Sequence, residues 1–129
     1  MGKPCLREGF PHISIAHGAG RVALGVGDAP LGVDLERPGL VRRAAAKRFF
    51  TPAELQQLRD APPAEQPSLF ALLWTRLEAY LKLEGAGFAL EGARGERPVF
   101  YAHFQDPGGW LTCATWEPAR VRLEEVALR

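Results

Sequence analysis

Leu31-Gly32-Val33-Asp34-Leu35-Glu36 alternates large apolar side chains with a glycine and two acids, the period of a strand with one face on a core. Leu31, Val33 and Leu35 share one face, and Gly32, Asp34 and Glu36 share the other. Upstream, residues 12–17 and 21–26 also read in strand phase, with Val22, Leu24 and Val26 on a common face. Gly18-Ala19-Gly20 and Gly27-Asp28-Ala29-Pro30 supply the turns between them. Three short strands joined this way predict an antiparallel meander whose apolar side lies on the core.

Pro38 and Gly39 end the strand region, and residues 41–50 predict a short helix closing on Phe49-Phe50. Thr51-Pro52-Ala53-Glu54 is a capping box with proline at the first helical position, so a second helix runs over residues 52–59 until Asp60-Ala61-Pro62-Pro63 stops it. Residues 69–83 carry Phe70, Leu73, Trp74, Leu77 and Leu81 on one stripe, with Ser68 as the expected N-cap and Gly85 just past the end. Residues 98–104 and 110–116 return to strand phase around Asp106-Pro107-Gly108-Gly109, and residues 121–128 fit strand or helix equally. The expected fold is α+β: a mainly antiparallel single sheet with helices packed on one face, in one domain spanning residues 1–129.

The chain has 129 residues, 47% of them apolar and 24% charged, with a formal net charge of +1. That composition suits one globular domain with its own core and gives no global field for nucleic acid or an anionic membrane. No apolar run reaches membrane-spanning length, and the N-terminal stretch lacks a secretory signal. Cys5 and Cys113 lie far apart, without metal-type spacing. A cytoplasmic protein with two free thiols is expected.

Asp34 and Glu36 are two apart on a strand, so their side chains leave one face with Cα atoms about 6.6 Å apart, twice the strand rise. Both can reach one ion, but two acids on a solvated strand face look the same in sequence. Glu78 and Lys82 are four apart on the long helix in the order that favours a surface ion pair, while Glu78 also borders the apolar stripe, where a site could form. His17 ends the first strand before a glycine-rich turn, as a plain turn residue or an anion ligand. His12 and His103 form no ligand pattern with it, so zinc is not expected. Gly18-Ala19-Gly20 is neither a Walker loop nor a dinucleotide fingerprint, and no serine or cysteine pairs with a histidine as in a covalent hydrolase. Trp74, Trp110 and Trp116 read as packing residues.

Gly2-Lys3-Pro4, Ile13-Ser14-Ile15-Ala16-His17, Gly32-Val33-Asp34-Leu35-Glu36, Lys47-Arg48-Phe49-Phe50-Thr51-Pro52-Ala53-Glu54 and Trp74-Thr75-Arg76-Leu77-Glu78-Ala79-Tyr80-Leu81-Lys82 occur in this order. Together they closely resemble the 4′-phosphopantetheinyl transferases of the longer, surfactin-synthetase-activating type, over residues 2–90. The resemblance implies that Asp34, Glu36 and Glu78 are magnesium ligands, Lys82 the lysine on the reacting phosphate, and Lys3 and His17 contacts to coenzyme A. It further implies magnesium as cofactor, coenzyme A as substrate, and an acyl or peptidyl carrier protein of fatty-acid, polyketide or nonribosomal peptide synthesis as acceptor. Glu78 and Lys82 would be the catalytic residues.

Two departures stand out. Leu77 replaces the lysine usual before the helix glutamate, and Ala16 replaces the serine usual before the histidine. The longer type also has two similar halves, and this sequence resembles the second. A homo-oligomer is therefore expected, a dimer ahead of a trimer, with a second copy completing the cleft. The competing reading is a non-catalytic module of the same fold that binds coenzyme A or a carrier protein.

Overall fold

A computed structural model describes residues 11–18, 20–85 and 97–126. Among them the elements are β1 (His12–Gly18), β2 (Arg21–Gly27), β3 (Leu31–Glu36), α1 (Arg43–Phe49), α2 (Pro52–Asp60), α3 (Gln66–Glu84), β4 (Phe100–Asp106) and β5 (Gly109–Thr115). The class is α+β, as expected. Residues 121–126 adopt neither helix nor strand.

The meander is overturned. β1 and β2 form an antiparallel hairpin, with Ile15 opposite Leu24 and His17 opposite Val22. β3 instead pairs with β5, giving two sheets, β1-β2 and β3-β5-β4, in place of one. The small inward residues of β2 explain this: a Cβ on Gly25 would lie 2.7 Å from Val33 Cγ1 and 2.8 Å from Leu31 Cδ1. The hairpin thus packs against those side chains and does not extend their ladder. The Val33 N–H donates to the Ser14 hydroxyl oxygen at 3.0 Å, so a side chain serves a backbone group that a neighbouring strand would otherwise satisfy. With its Ala16 clustered against Leu31, Val33, Leu35 and Cys113, the hairpin covers one face of β3. Val22, Leu24 and Val26 consequently point outward, 69%, 61% and 58% exposed, the reverse of their expected placement.

The other face of β3 is covered too. Gly32 lets α3 approach so closely that a Cβ there would stand 2.1 Å from the Ala79 carbonyl oxygen and 2.6 Å from the Leu83 nitrogen. The acids beside it therefore lie along a helix–strand seam, not on a solvated strand face. Leu31 to Leu35 are all buried.

α3 is buried on two sides. Thr75, Ala79 and Leu83 turn to the sheet, while Phe70, Leu73, Trp74, Leu77, Tyr80 and Leu81 pack with Ala46, Phe50 and Leu58 beneath α1 and α2. Each large apolar side chain so buried contributes roughly 1.5 to 3 kcal/mol. Leu77 is 4% exposed in this core.

The local signals hold where the chain needs only its neighbours. The Glu54 N–H donates to Thr51 Oγ1 at 3.2 Å, and the Thr51 N–H to Glu54 Oε1 at 3.0 Å, closing the expected capping box on α2. Gly85 ends α3 in the left-handed region at φ 77°. Ser68 is not the N-cap, because α3 begins earlier, after Glu65. Its hydroxyl instead accepts the Trp110 ring N–H at 3.1 Å, tying the helix to β5.

A pair of buried hydroxyls locks α3 to β5. Thr75 Oγ1 donates to the Leu72 carbonyl at 2.7 Å, using its one proton, so Thr112 donates to Thr75 across 2.7 Å. Thr112→Val removes a donor and is expected to cost about 0.5 to 1.5 kcal/mol, whereas Thr75→Val strands a buried hydroxyl and costs about 1 to 3 kcal/mol. Urea unfolding of the two variants checks the order; equal losses would refute the proton assignment.

Candidate active site

β3 presents Asp34 and Glu36 to the flank of α3, and the helix presents Glu78 and Lys82, one turn apart, to the same seam. Lys82 Nζ stands 3.3 Å from Asp34 Oδ1 and donates to the Ile15 carbonyl of β1 at 3.2 Å. The helix lysine therefore joins all three layers: α3, β3 and the hairpin. The expected i,i+4 surface pair gives way to this longer-range contact, and Glu78 feels Lys82 through its charge.

Burial makes the acids reluctant to ionise. Asp34 is pushed from 3.8 up to about 7, chiefly by desolvation; Lys82 opposes the rise, while Glu78 and Glu36 add to it. Glu78 is raised mainly by burial and further by Glu36, against Lys82, Arg42 and a hydrogen bond from the Trp74 side chain. Burial also raises Glu36, against Arg42 and Lys82. The acids from strand and helix thus share one field.

Asp34 Oδ2 is buried without a hydrogen-bond partner, a costly state for an acceptor unless a proton or a cation meets it. Among the described residues no group of three or more histidine, cysteine, aspartate or glutamate side chains is arranged as a ready metal cage. Asp34, Glu36 and Glu78 offer only oxygen donors, and the orphaned Asp34 oxygen is free to meet a hard cation.

The raised Asp34 pKa has a signed consequence for stability. Between 3.8 and about 7 the folded chain holds a proton there that the unfolded chain has released, so this group's contribution falls as pH rises through that window. Glu36 and Glu78 act in the same sense, whereas His103, lowered chiefly by burial and also by Arg76, acts oppositely. The difference between wild type and Asp34→Asn isolates the effect. In metal-free buffer, the melting temperature of wild type is expected to fall relative to the variant from pH 4 to pH 7; parallel curves would contradict it.

The other site residues stand apart. His17 is exposed and lies on the outward face of the hairpin with Ile15, two residues beyond the carbonyl that Lys82 holds. It is not brought into the acid cluster. Lys3 lies outside the described residues. Ala16 is 1% exposed and serves the core.

Sequence reading missed Arg42 and gave Trp74 only a packing role. The Arg42 guanidinium lies 4.4 Å from the centre of the Trp74 ring, and its Nη2 is 4.0 Å from Glu36 Oε1. The Trp74-to-Glu78 spacing was a usable local signal, since i,i+4 side chains meet on a helix. For Arg42, 32 residues from Trp74, no local signal existed.

The model of the 4′-phosphopantetheinyl transferase superfamily matches residues 30–108. The chain belongs to that superfamily. Its matched stretch contains Asp34, Glu36, Glu78 and Lys82 and stops short of His17 and Lys3. Similar curated members are the 4′-phosphopantetheinyl transferase psf-1 of Bacillus pumilus, 38% identical over 68% of this chain and 38% of that protein, and Sfp of Bacillus subtilis strain 168, 34% identical over 69% and 40%. HetI of Nostoc sp. PCC 7120 is 36% identical over 68% of this chain and 40% of its own. The chain thus spans about two fifths of the length of these superfamily members. None of its described helices is long and apolar enough to cross a membrane.

Proposed function

We propose that the chain transfers the 4′-phosphopantetheine arm of coenzyme A to a serine of an acyl or peptidyl carrier protein, in the cytoplasm and with magnesium. The observation that carries this reading is the Lys82–Asp34 contact beside the orphaned Asp34 oxygen, with Glu36 and Glu78 in the same field. Asp34, Glu36 and Glu78 would hold the magnesium, which when bound supplies positive charge to the pyrophosphate oxygens. Glu78 takes the serine proton, a role a positioned carboxylate can fill. The serine oxygen forms a bond to the phosphorus bearing the pantetheine arm, the bridging P–O bond breaks, and 3′,5′-ADP leaves with its electron pair. Lys82, positioned by Ile15 and Asp34, stabilises the charge on the phosphoryl oxygens. Lys3 and His17 contact coenzyme A.

A second copy of the chain completes the cleft, as a dimer ahead of a trimer. The outward face of the hairpin supports this: Ile15, Val22, Leu24 and Val26 are each at least 48% exposed, and with His17 they form a surface without an acidic or ammonium group. Two such faces can meet without charge repulsion.

The buried Leu77 favours a second reading, a module that binds coenzyme A or a carrier without turnover, because it takes a basic side chain away from the phosphates. Incubation with coenzyme A, magnesium and several apo carrier proteins, read by intact-protein mass spectrometry, separates the two. Transfer supports the enzyme; retained coenzyme A binding with no transfer to any carrier supports the module. Analytical ultracentrifugation of wild type and Leu24→Glu tests self-association, and a monomeric wild type would reject it.

A further inference from the structure

We infer that Arg42 contacts the pyrophosphate of coenzyme A, acting as the second cation of the site alongside Lys82. This rests on the function proposed above and adds a residue to it. Arg42 immediately precedes α1 and makes no side-chain cap for that helix. Its guanidinium lies over the aromatic pair instead, 4.4 Å from the Trp74 centroid and 5.4 Å from that of Phe70. Held over the rings, the guanidinium keeps N–H groups of the kind that recognise phosphate.

The nearest acid does not use those groups. Nη2 and Glu36 Oε1 are 4.0 Å apart, too long for a hydrogen bond. The Arg42 side chain is 48% exposed, so a ligand can reach it. Its charge is nevertheless felt by Glu36 and by Glu78, which places it on the same seam as the acid cluster.

Charge bookkeeping points the same way. Asp34, Glu36 and Glu78 bring three negative charges when ionised, and Lys82 and Arg42 bring two positive ones. With the two charges of the magnesium proposed above the cluster sums to +1, and without Arg42 to zero, which attracts a pyrophosphate less. Leu77 offers no help, because it is buried in the core. Lys82 is already held by Asp34 and the Ile15 carbonyl, whereas among the described residues the Arg42 side chain meets the two rings and makes one long ionic contact.

The test is isothermal titration of wild type, Arg42→Ala, Arg42→Met and Arg42→Lys with coenzyme A, 3′-dephospho-coenzyme A and unphosphorylated pantetheine. Arg42→Met keeps an apolar stem over Trp74, so it remains informative should the alanine variant unfold. Loss of the charged contact is expected to weaken coenzyme A binding on the order of tenfold in the Met and Ala variants. Arg42→Lys should recover part of that loss, and pantetheine binding should not change. The same loss must appear with 3′-dephospho-coenzyme A; a loss confined to coenzyme A would move the contact to the 3′-phosphate and overturn the assignment. Equal binding by wild type and Arg42→Met, or an equal loss toward pantetheine, overturns the inference while leaving the proposed function in place. Failure of wild type to bind coenzyme A overturns both.

Discussion

Glu78→Gln is expected to lower pantetheine transfer by roughly 10²- to 10⁴-fold, the range for removal of a general base, while the fold survives. Glutamine has nearly the same shape as glutamate and retains an oxygen for the Trp74 side chain that bonds to Glu78. What it loses is the negative charge and the capacity to take a proton. In the metal-free protein that loss should leave stability unchanged or slightly improved, because burial and Glu36 both disfavour the ionised carboxylate. Turnover measured by mass spectrometry, paired with a thermal melt, separates chemistry from folding. A variant as active as wild type would remove Glu78 from the mechanism, and a variant that failed to fold would show its role to be structural.

Gly32→Ala should be among the most damaging small substitutions in the described residues. The added methyl would meet the Ala79 carbonyl oxygen at 2.1 Å and the Leu83 nitrogen at 2.6 Å, both backbone atoms that cannot rotate away. The helix must shift as a body, which places the cost at about 1 to 3 kcal/mol or more. Gly25→Ala is the informative control. Its close neighbours, at 2.7 and 2.8 Å, are side-chain tips of Val33 and Leu31, which can change rotamer, so a smaller loss is expected. Activity should fall with Gly32→Ala even at temperatures where the variant stays folded. Glu78 and Lys82 each precede one of the two obstructed residues, and any shift of α3 carries them away from Asp34. Chemical unfolding of both variants decides the matter: Gly32→Ala within about 0.5 kcal/mol of wild type would contradict the close approach of helix and strand.

This contact shows why the acid pair was ambiguous in sequence. Asp34 and Glu36 could be assigned to one face of a strand from their spacing alone, but whether that face was wet depended on Gly32, whose missing side chain signals a close approach without saying to what. The answer was α3, 47 residues away from Gly32 at Ala79. The same blindness affected the hairpin. The alternation of Val22, Leu24 and Val26 was read correctly, yet the face that meets the core is the one with Ala23 and Gly25, because small residues let the hairpin lie flat on Leu31 and Val33.

Lys82 is a similar case. In sequence, Glu78 is its natural partner, since helical residues four apart are neighbours whatever else the chain does. In the fold, the hairpin brings the Ile15 carbonyl and β3 brings a buried carboxylate, and the less hydrated acid is the stronger partner for an ammonium group. Arg42 was invisible for the related reason that an arginine before a short helix is ordinary; only the aromatic pair beneath it distinguishes this one.

From the residues alone came whatever is settled within a turn or a few strand positions: the capping box at Thr51, the apolar stripe of α3, its end at Gly85, and the shared face of Asp34 and Glu36. The tertiary structure alone decided that β3 pairs with β5, that the hairpin turns Val22, Leu24 and Val26 outward, and that Lys82 reaches Asp34. Local geometry follows from rotations about neighbouring bonds, so short spacing rules encode it. Pairing across tens of residues is chosen by which surfaces exclude water best once the chain has closed on itself, and no spacing within one segment records that competition.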